Sequence, residues 1–141
     1  MNAALPPDAL LHPIFALVAL TAAVWLAMVV VRNVAVQMGT ATLGYYKGYT
    51  GTLPAEWVER PARAFMNLLE VPVLFYLVCV LMLVTGRFDG RQVELAWLFV
   101  AIRAAHALIH IFVNHVLTRF TAYLAGCVTL AVLWIRFATS A

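Results

Sequence analysis

An all-α membrane protein of four transmembrane helices is the fold class this sequence predicts, and three observations predict it. Hydrophobic residues make up 65% of the 141 positions and charged residues only 11%, less than half the share that soluble domains carry. Four apolar stretches each approach the ~20 residues that a helix needs to cross the hydrocarbon core. The breaks between them are built from turn and loop residues.

One domain, residues 1–141, is what this length supports. The spans fall at roughly 12–36, 64–85, 93–113 and 119–138. The first is expected to stay as an anchor and not to be cleaved as a signal peptide, because Met1 to Leu11 holds no Lys or Arg and the apolar run is too long for an h-region. Ala19, Ala23 and Ala27 form a small-residue stripe along it, which suits close helix packing. Gly39, Gly44, Gly48, Gly51 and Pro54 mark a long first loop, TGRFDGRQ a tight second turn and NHVLT a short third one.

The formal charge of +3 needs no nucleic-acid partner. Basic residues at helix ends facing lipid headgroups account for it. Arg32, Lys47, Arg60, Arg63 and Arg119 lie towards the first and third loops, and Arg87, Arg91 and Arg136 towards the other side. The positive-inside rule then puts the first and third loops in the cytoplasm and both termini across the membrane. Trp57, Trp97 and Trp134, with Tyr45, Tyr46 and Tyr49, read as interface anchors. The LGYYKGYTG segment of the first loop is placed to fold over the mouth of a pocket on that side. Cys79 and Cys127 have no metal-ligand spacing and read as small buried hydrophobes, so no metal site is expected.

The polar residues near the span ends require a separate explanation. A charge at mid-membrane costs on the order of 2.5–3.5 kcal/mol on insertion scales, so such residues face the bundle interior and find partners. Arg63, Asn67 and Glu70 share one face of the second span, and Arg103, His106, His110 and Asn114 one face of the third. Arg32 closes the first span and Arg119 opens the fourth. Counted against these cations, with Arg60 just outside, Glu70 is the one intramembrane carboxylate. Two readings follow. Arg63 or Arg103 pairs with Glu70 across helices and simply fastens the bundle, or the cluster holds a guest with carboxylates for the guanidinium forks and an amine for Glu70.

Four short spans, a long first loop, the pattern R-x-x-x-N-x-x-E at Arg63, Asn67 and Glu70, Arg103 followed by His106, and then Arg119 resemble the MAPEG family, the membrane-associated proteins of eicosanoid and glutathione metabolism. The resemblance spans roughly residues 12 to 138. It implies a homotrimer with glutathione, as co-substrate, bound between subunits and open to the cytoplasmic side. Asn67 and Glu70 would hold the γ-glutamyl end, Arg63 and His106 the tripeptide and its carboxylates, and Arg103 would brace that network. Arg119 would stand at the thiol, and Arg32 of the adjacent subunit would complete the pocket. A guanidinium beside a thiol favours the nucleophilic thiolate. The implied activity is therefore glutathione transfer to hydrophobic electrophiles, or reduction of lipid hydroperoxides, in a multi-pass protein of the bilayer, with a bacterial inner membrane as its expected location.

Three departures narrow that implication. His110 stands where several eicosanoid enzymes of the family carry tyrosine, Phe120 where the prostaglandin-forming type has serine, and Val71 where the leukotriene-forming type has tyrosine. They argue against either eicosanoid activity. His110 has two readings, a hydrogen-bond partner for the ligand or a packing residue. Two other functional classes remain open. One is a non-catalytic trimer that binds a lipid or a partner protein in the same clefts. The other is an ion or proton path, disfavoured because VPVLFYLVCVLMLV and LAGCVTLAVLWI leave the far half of two spans apolar.

Overall fold

The computed structural model describes residues 6–140, and among them every regular element is a helix. Residues 1–5 and 141, which the single-domain reading includes, lie outside the described residues. The elements are α1 (Leu11–Gln37), the short α2 (Leu43–Gly48), α3 (Glu56–Glu70), α4 (Pro72–Thr85), α5 (Gly90–Leu108), a π-helical turn (Ile109–Val113) and α6 (Val116–Thr139). Four stretches are long and apolar enough to cross a membrane: Leu11–Gln37, Glu56–Thr85, Gly90–Val113 and Val116–Thr139.

The second of these begins at Glu56, well before the expected start near residue 64. Hydropathy alone reads Glu56, Glu59 and Arg60 as loop, yet the same residues favour a helix start. Glu56 and Glu59 lie in the first turn, where carboxylates suit the helix dipole. Glu56 also pairs with Arg60 one turn on, at 3.5 Å. The span divides into α3 and α4 at Val71 because Pro72 has no N–H to give the carbonyl four residues back.

The helices pack through small and aromatic residues. α5 and α6 share the most extensive contact, α1 lies on α3 and α5, and α4 lies on α6. Leu17, Leu68, Phe75, Met82, Phe99 and Leu133 fill the core, with Phe75 and Phe99 stacked at 4.8 Å between centroids. At Gly126, α6 meets α5 at a spacing where a Cβ would make ordinary van der Waals contact, 3.5 Å from Arg103 Cδ. Cys79 is fully buried and Cys127 only half-buried.

Outward, Trp25, Leu26 and Val30 of α1, Leu77 and Val84 of α4, and Phe120, Val128 and Ile135 of α6 are exposed on the protomer. Apolar exposure on this scale belongs to a membrane surface or a subunit contact. The alanine stripe behaves the same way. Ala19 and Ala23 are exposed and Ala27 is half-buried, so the stripe is not used for packing within the protomer. Of the expected anchors, Trp57 and Trp97 are exposed, whereas Trp134 is half-buried with its indole Nε1 donating to the Leu74 carbonyl at 3.2 Å.

At the second-turn end, Asp89 caps α5 reciprocally with Gln92 and meets Arg136 of α6 at 2.9 Å. The Gln92 backbone N–H, followed by the Arg136 guanidinium, holds the Asp89 carboxyl below its usual range. A depressed folded-state value adds stability that is present above the unfolded carboxylate value near 3.9 and is lost as pH falls through the folded one. Asp89→Ala is therefore expected to cost about 1 kcal/mol. Asp89→Asn should keep most of the cap but lose the acid-side decline below about pH 4. Thermal unfolding in detergent between pH 3 and 7 reads both effects.

Candidate polar site between the helices

Regular helical spacing puts Arg63 and Asn67 on one stripe of α3, and Arg103 and His106 on the inward stripe of α5. Arg103 is completely buried. Its Nη2 donates to the Asn67 carbonyl, one residue before the carbonyl that Pro72 leaves without a helical donor. Its guanidinium carbon sits 5.6 Å from the centre of the Tyr123 ring. Arg103 Nε and Nη1 are buried without a hydrogen-bond partner among the described residues. His106 is buried between Tyr123, at 5.8 Å, and His110, at 5.9 Å.

The π turn carries His110 and ends the third span. Its last bond runs from the Asn114 N–H to the Ile109 carbonyl at 2.7 Å. Asn114 then turns left-handed at φ 52°, a conformation asparagine tolerates better than most residues. From this bend the Asn114 side chain reaches two elements at once. Its Oδ1 accepts from Arg119 Nη1 of α6 at 2.7 Å, and its Nδ2 donates to Glu56 Oε1 of α3.

Two cavities meet at Asn67, His110 and Arg119. The larger, about 720 Å³, is walled by Met28 and Arg32 of α1, Tyr49 of the first loop, and Arg63 and Met66 of α3. The smaller, about 300 Å³, is walled by His106, Val116, Phe120 and Tyr123. Arg119 thus stands at the junction of the two cavities, half-buried and in no ion pair among the described residues. On the larger cavity's wall, Arg32 pairs with Glu59 at 3.5 Å and stacks over Tyr46 at 4.9 Å. Burial, and then the Glu59 carboxylate, raise the Tyr46 hydroxyl above its ordinary value.

The candidates named from the sequence therefore separate by position. Arg32, Arg63, Asn67, His110 and Arg119 line the larger cavity, and His106 lines the smaller. Arg103 is a brace behind Asn67. Glu70 lines neither cavity; it is exposed at the end of α3 and in no ion pair among the described residues. Its pairing with Arg63 or Arg103, the bundle-fastening reading, is not formed. The charge inventory changes too, because α3 starts early: Glu56 and Glu59 join the same span and meet Arg60 and Arg32.

The model of the MAPEG family matches residues 10–139, nearly the whole chain. The chain belongs to the MAPEG family. It is accordingly an integral multi-pass membrane protein of the glutathione and eicosanoid metabolism group. No curated protein and no solved structure matches it.

Four residues of this MAPEG chain's site escaped the sequence reading. Tyr123 follows Arg119 by one helical turn and was legible as a neighbour on the same face of α6. Glu59 and Glu56 precede the expected second span, though an acidic first turn signals a helix start. Tyr49 reaches the cavity wall from the segment suspected of covering the mouth. It is left-handed at φ 52°, which no short-range pattern announced. Asn114 was placed on the third-span face, but its grip on Arg119 depends on the bend that follows.

Proposed function

We propose that this MAPEG protein is a glutathione-dependent transferase or peroxidase of the membrane, which works as a homotrimer and turns the glutathione thiol into a thiolate at Arg119. The observation that carries the reading is the convergence of Arg63, Asn67 and Arg119 on one cavity of about 720 Å³, joined at Arg119 to a second one that Val116 and Phe120 border. That volume lies within the range of small-molecule sites. The cations of the larger cavity suit the two carboxylates of the tripeptide. His110 Nδ1, buried and without a hydrogen-bond partner among the described residues, supports its reading as a hydrogen-bond partner of the ligand.

The trimer reading draws support from Arg63 and Glu70, which are both exposed on the isolated protomer, and from the exposed alanine positions on α1. In a trimer Glu70 meets the ligand amine from the neighbouring subunit's side of the cleft, and Arg32 adds a further cation.

The chemistry follows from charge. A thiol with a reference pKa near 8.5 is mostly protonated at neutral pH, and a guanidinium beside the sulfur shifts it towards the thiolate. The thiolate attacks an electrophilic carbon and expels its leaving group with the bonding pair, forming a thioether. Alternatively it attacks the terminal oxygen of a lipid hydroperoxide, breaking the O–O bond to leave a glutathione sulfenic acid and an alkoxide that takes a proton from water to become the alcohol. A second glutathione thiol then reduces the sulfenic acid to the disulfide and water. Val116 and Phe120, both exposed to the apolar surround, form the side from which a bilayer-dissolved substrate arrives.

Calorimetric titration of detergent-purified protein with glutathione, with ultraviolet thiolate absorbance followed in parallel, tests the reading. Saturable heat together with a thiolate band is the expected result. Neither heat nor band overturns it.

A further inference from the structure

We infer that Asn114 and Glu56 are positioning residues for Arg119, forming a charge-graded clasp in which a neutral amide touches the guanidinium and the carboxylate stands one bond behind it. This rests on the thiol-activating reading of Arg119 given above.

Three independent features build the clasp. The π turn and the left-handed Asn114 bring the amide to the point where α3, α5 and α6 meet. The amide then uses both of its ends, the oxygen accepting from Arg119 and the nitrogen donating to Glu56. Glu56 is itself fixed, since it lies in the first turn of α3 and pairs with Arg60.

The order of the groups matters. A carboxylate in direct, two-pronged contact would hold Arg119 firmly but would also neutralise it, leaving little field for a thiolate. An amide oxygen holds one nitrogen of the fork and leaves the remaining donors and the full charge facing the cavity. Glu56, kept at one remove, orients the amide so that its oxygen and not its nitrogen faces Arg119. It contributes a weaker opposing charge, itself offset by Arg60.

The other charged or titratable groups around Arg119 are His106 and His110 from α5 and the π turn, Arg63 from α3, Arg32 from α1, Tyr49 from the first loop and Tyr123 from α6. Glu59, the carboxylate on the same cavity wall, is paired with Arg32. No group in this set changes in the variants below, so a shift in thiolate titration reports on the clasp.

The test is the pH titration of bound-glutathione thiolate absorbance for the wild type, Asn114→Asp, Asn114→Gly and Glu56→Gln, each first checked for glutathione binding by calorimetry. Asn114→Asp puts a carboxylate on Arg119 and should move the titration to higher pH, cutting the thiolate about tenfold at a pH between the two midpoints. Glu56→Gln keeps an acceptor for the Asn114 amide but removes the opposing charge, so its titration should stay or move to lower pH. Asn114→Gly preserves the left-handed turn and should lose thiolate by freeing the guanidinium.

Shifts of opposite sign for Asn114→Asp and Glu56→Gln are not produced by a merely structural role. A wild-type thiolate with all three variants titrating alike overturns the clasp and leaves the glutathione reading standing. A wild type that binds no glutathione overturns both. Should Asn114→Asp fail to fold, Asn114→Gly and Glu56→Gln still decide: an unchanged titration in both refutes the clasp.

Discussion

Arg119→Ala should abolish the thiolate band of bound glutathione while leaving most of the binding heat. In the proposed mechanism the guanidinium lowers the thiol from its reference value near 8.5 by about 1–3 units. Without it, only a few per cent of the bound thiol is ionised at neutral pH. Turnover should fall by roughly 10²–10³, the usual cost of removing one preorganised charge-stabilising donor from a site. Affinity should fall far less, because Arg63, Asn67 and His110 still line the cavity. Arg119→Lys should recover part of the thiolate, since the charge returns but the fork that Asn114 grips does not. Calorimetry and ultraviolet titration on the same sample separate the two terms. An Arg119→Ala variant that loses heat and thiolate together would make Arg119 a binding residue, not an activating one.

The second large effect is expected at Arg103, where the replacement decides what is lost. Arg103→Ala deletes a fully buried long side chain at the α3, α5 and α6 junction and strips the Asn67 carbonyl of its donor. Cavity formation alone costs of order 2–5 kcal/mol at such a site. Arg103→Met fills most of the same volume without a charge, and replacing a buried ionic group by an apolar one of similar shape is often close to neutral. Thermal unfolding in detergent should therefore fall sharply for Arg103→Ala and little for Arg103→Met. Glutathione binding should fall in both variants, because Asn67 loses its anchor in each. Equal stability losses would indicate that the hydrogen bond, and not the packing, carries the stabilisation.

Much of the architecture was legible in the chain. Four apolar runs of spanning length correspond to the four long helices, and the turn residues between them sit where the chain bends. The i, i+4 spacing of Arg63 and Asn67 put both on the cavity wall. The misplaced boundary at Glu56 has a simple cause. Hydropathy measures the preference for lipid, whereas a helix can start several residues earlier in the headgroup region if its charges pair and suit the dipole.

What the sequence by itself determined is what local chemistry determines: the helical class, the number of crossings, the faces on which polar residues lie, and the motif spacing that resembles MAPEG. Those properties depend on side-chain period and transfer free energy, which act over a few turns. Only the tertiary structure decided who touches whom. The break at Pro72, the π turn and the left-handed Asn114 set how far each helix is rotated and where it stops. A shift of one residue turns a helical side chain by about 100°, so these irregular positions govern the partners. They bring Glu56 to Asn114 and Asn114 to Arg119, bury Arg103 behind Asn67, and leave Glu70 facing outward.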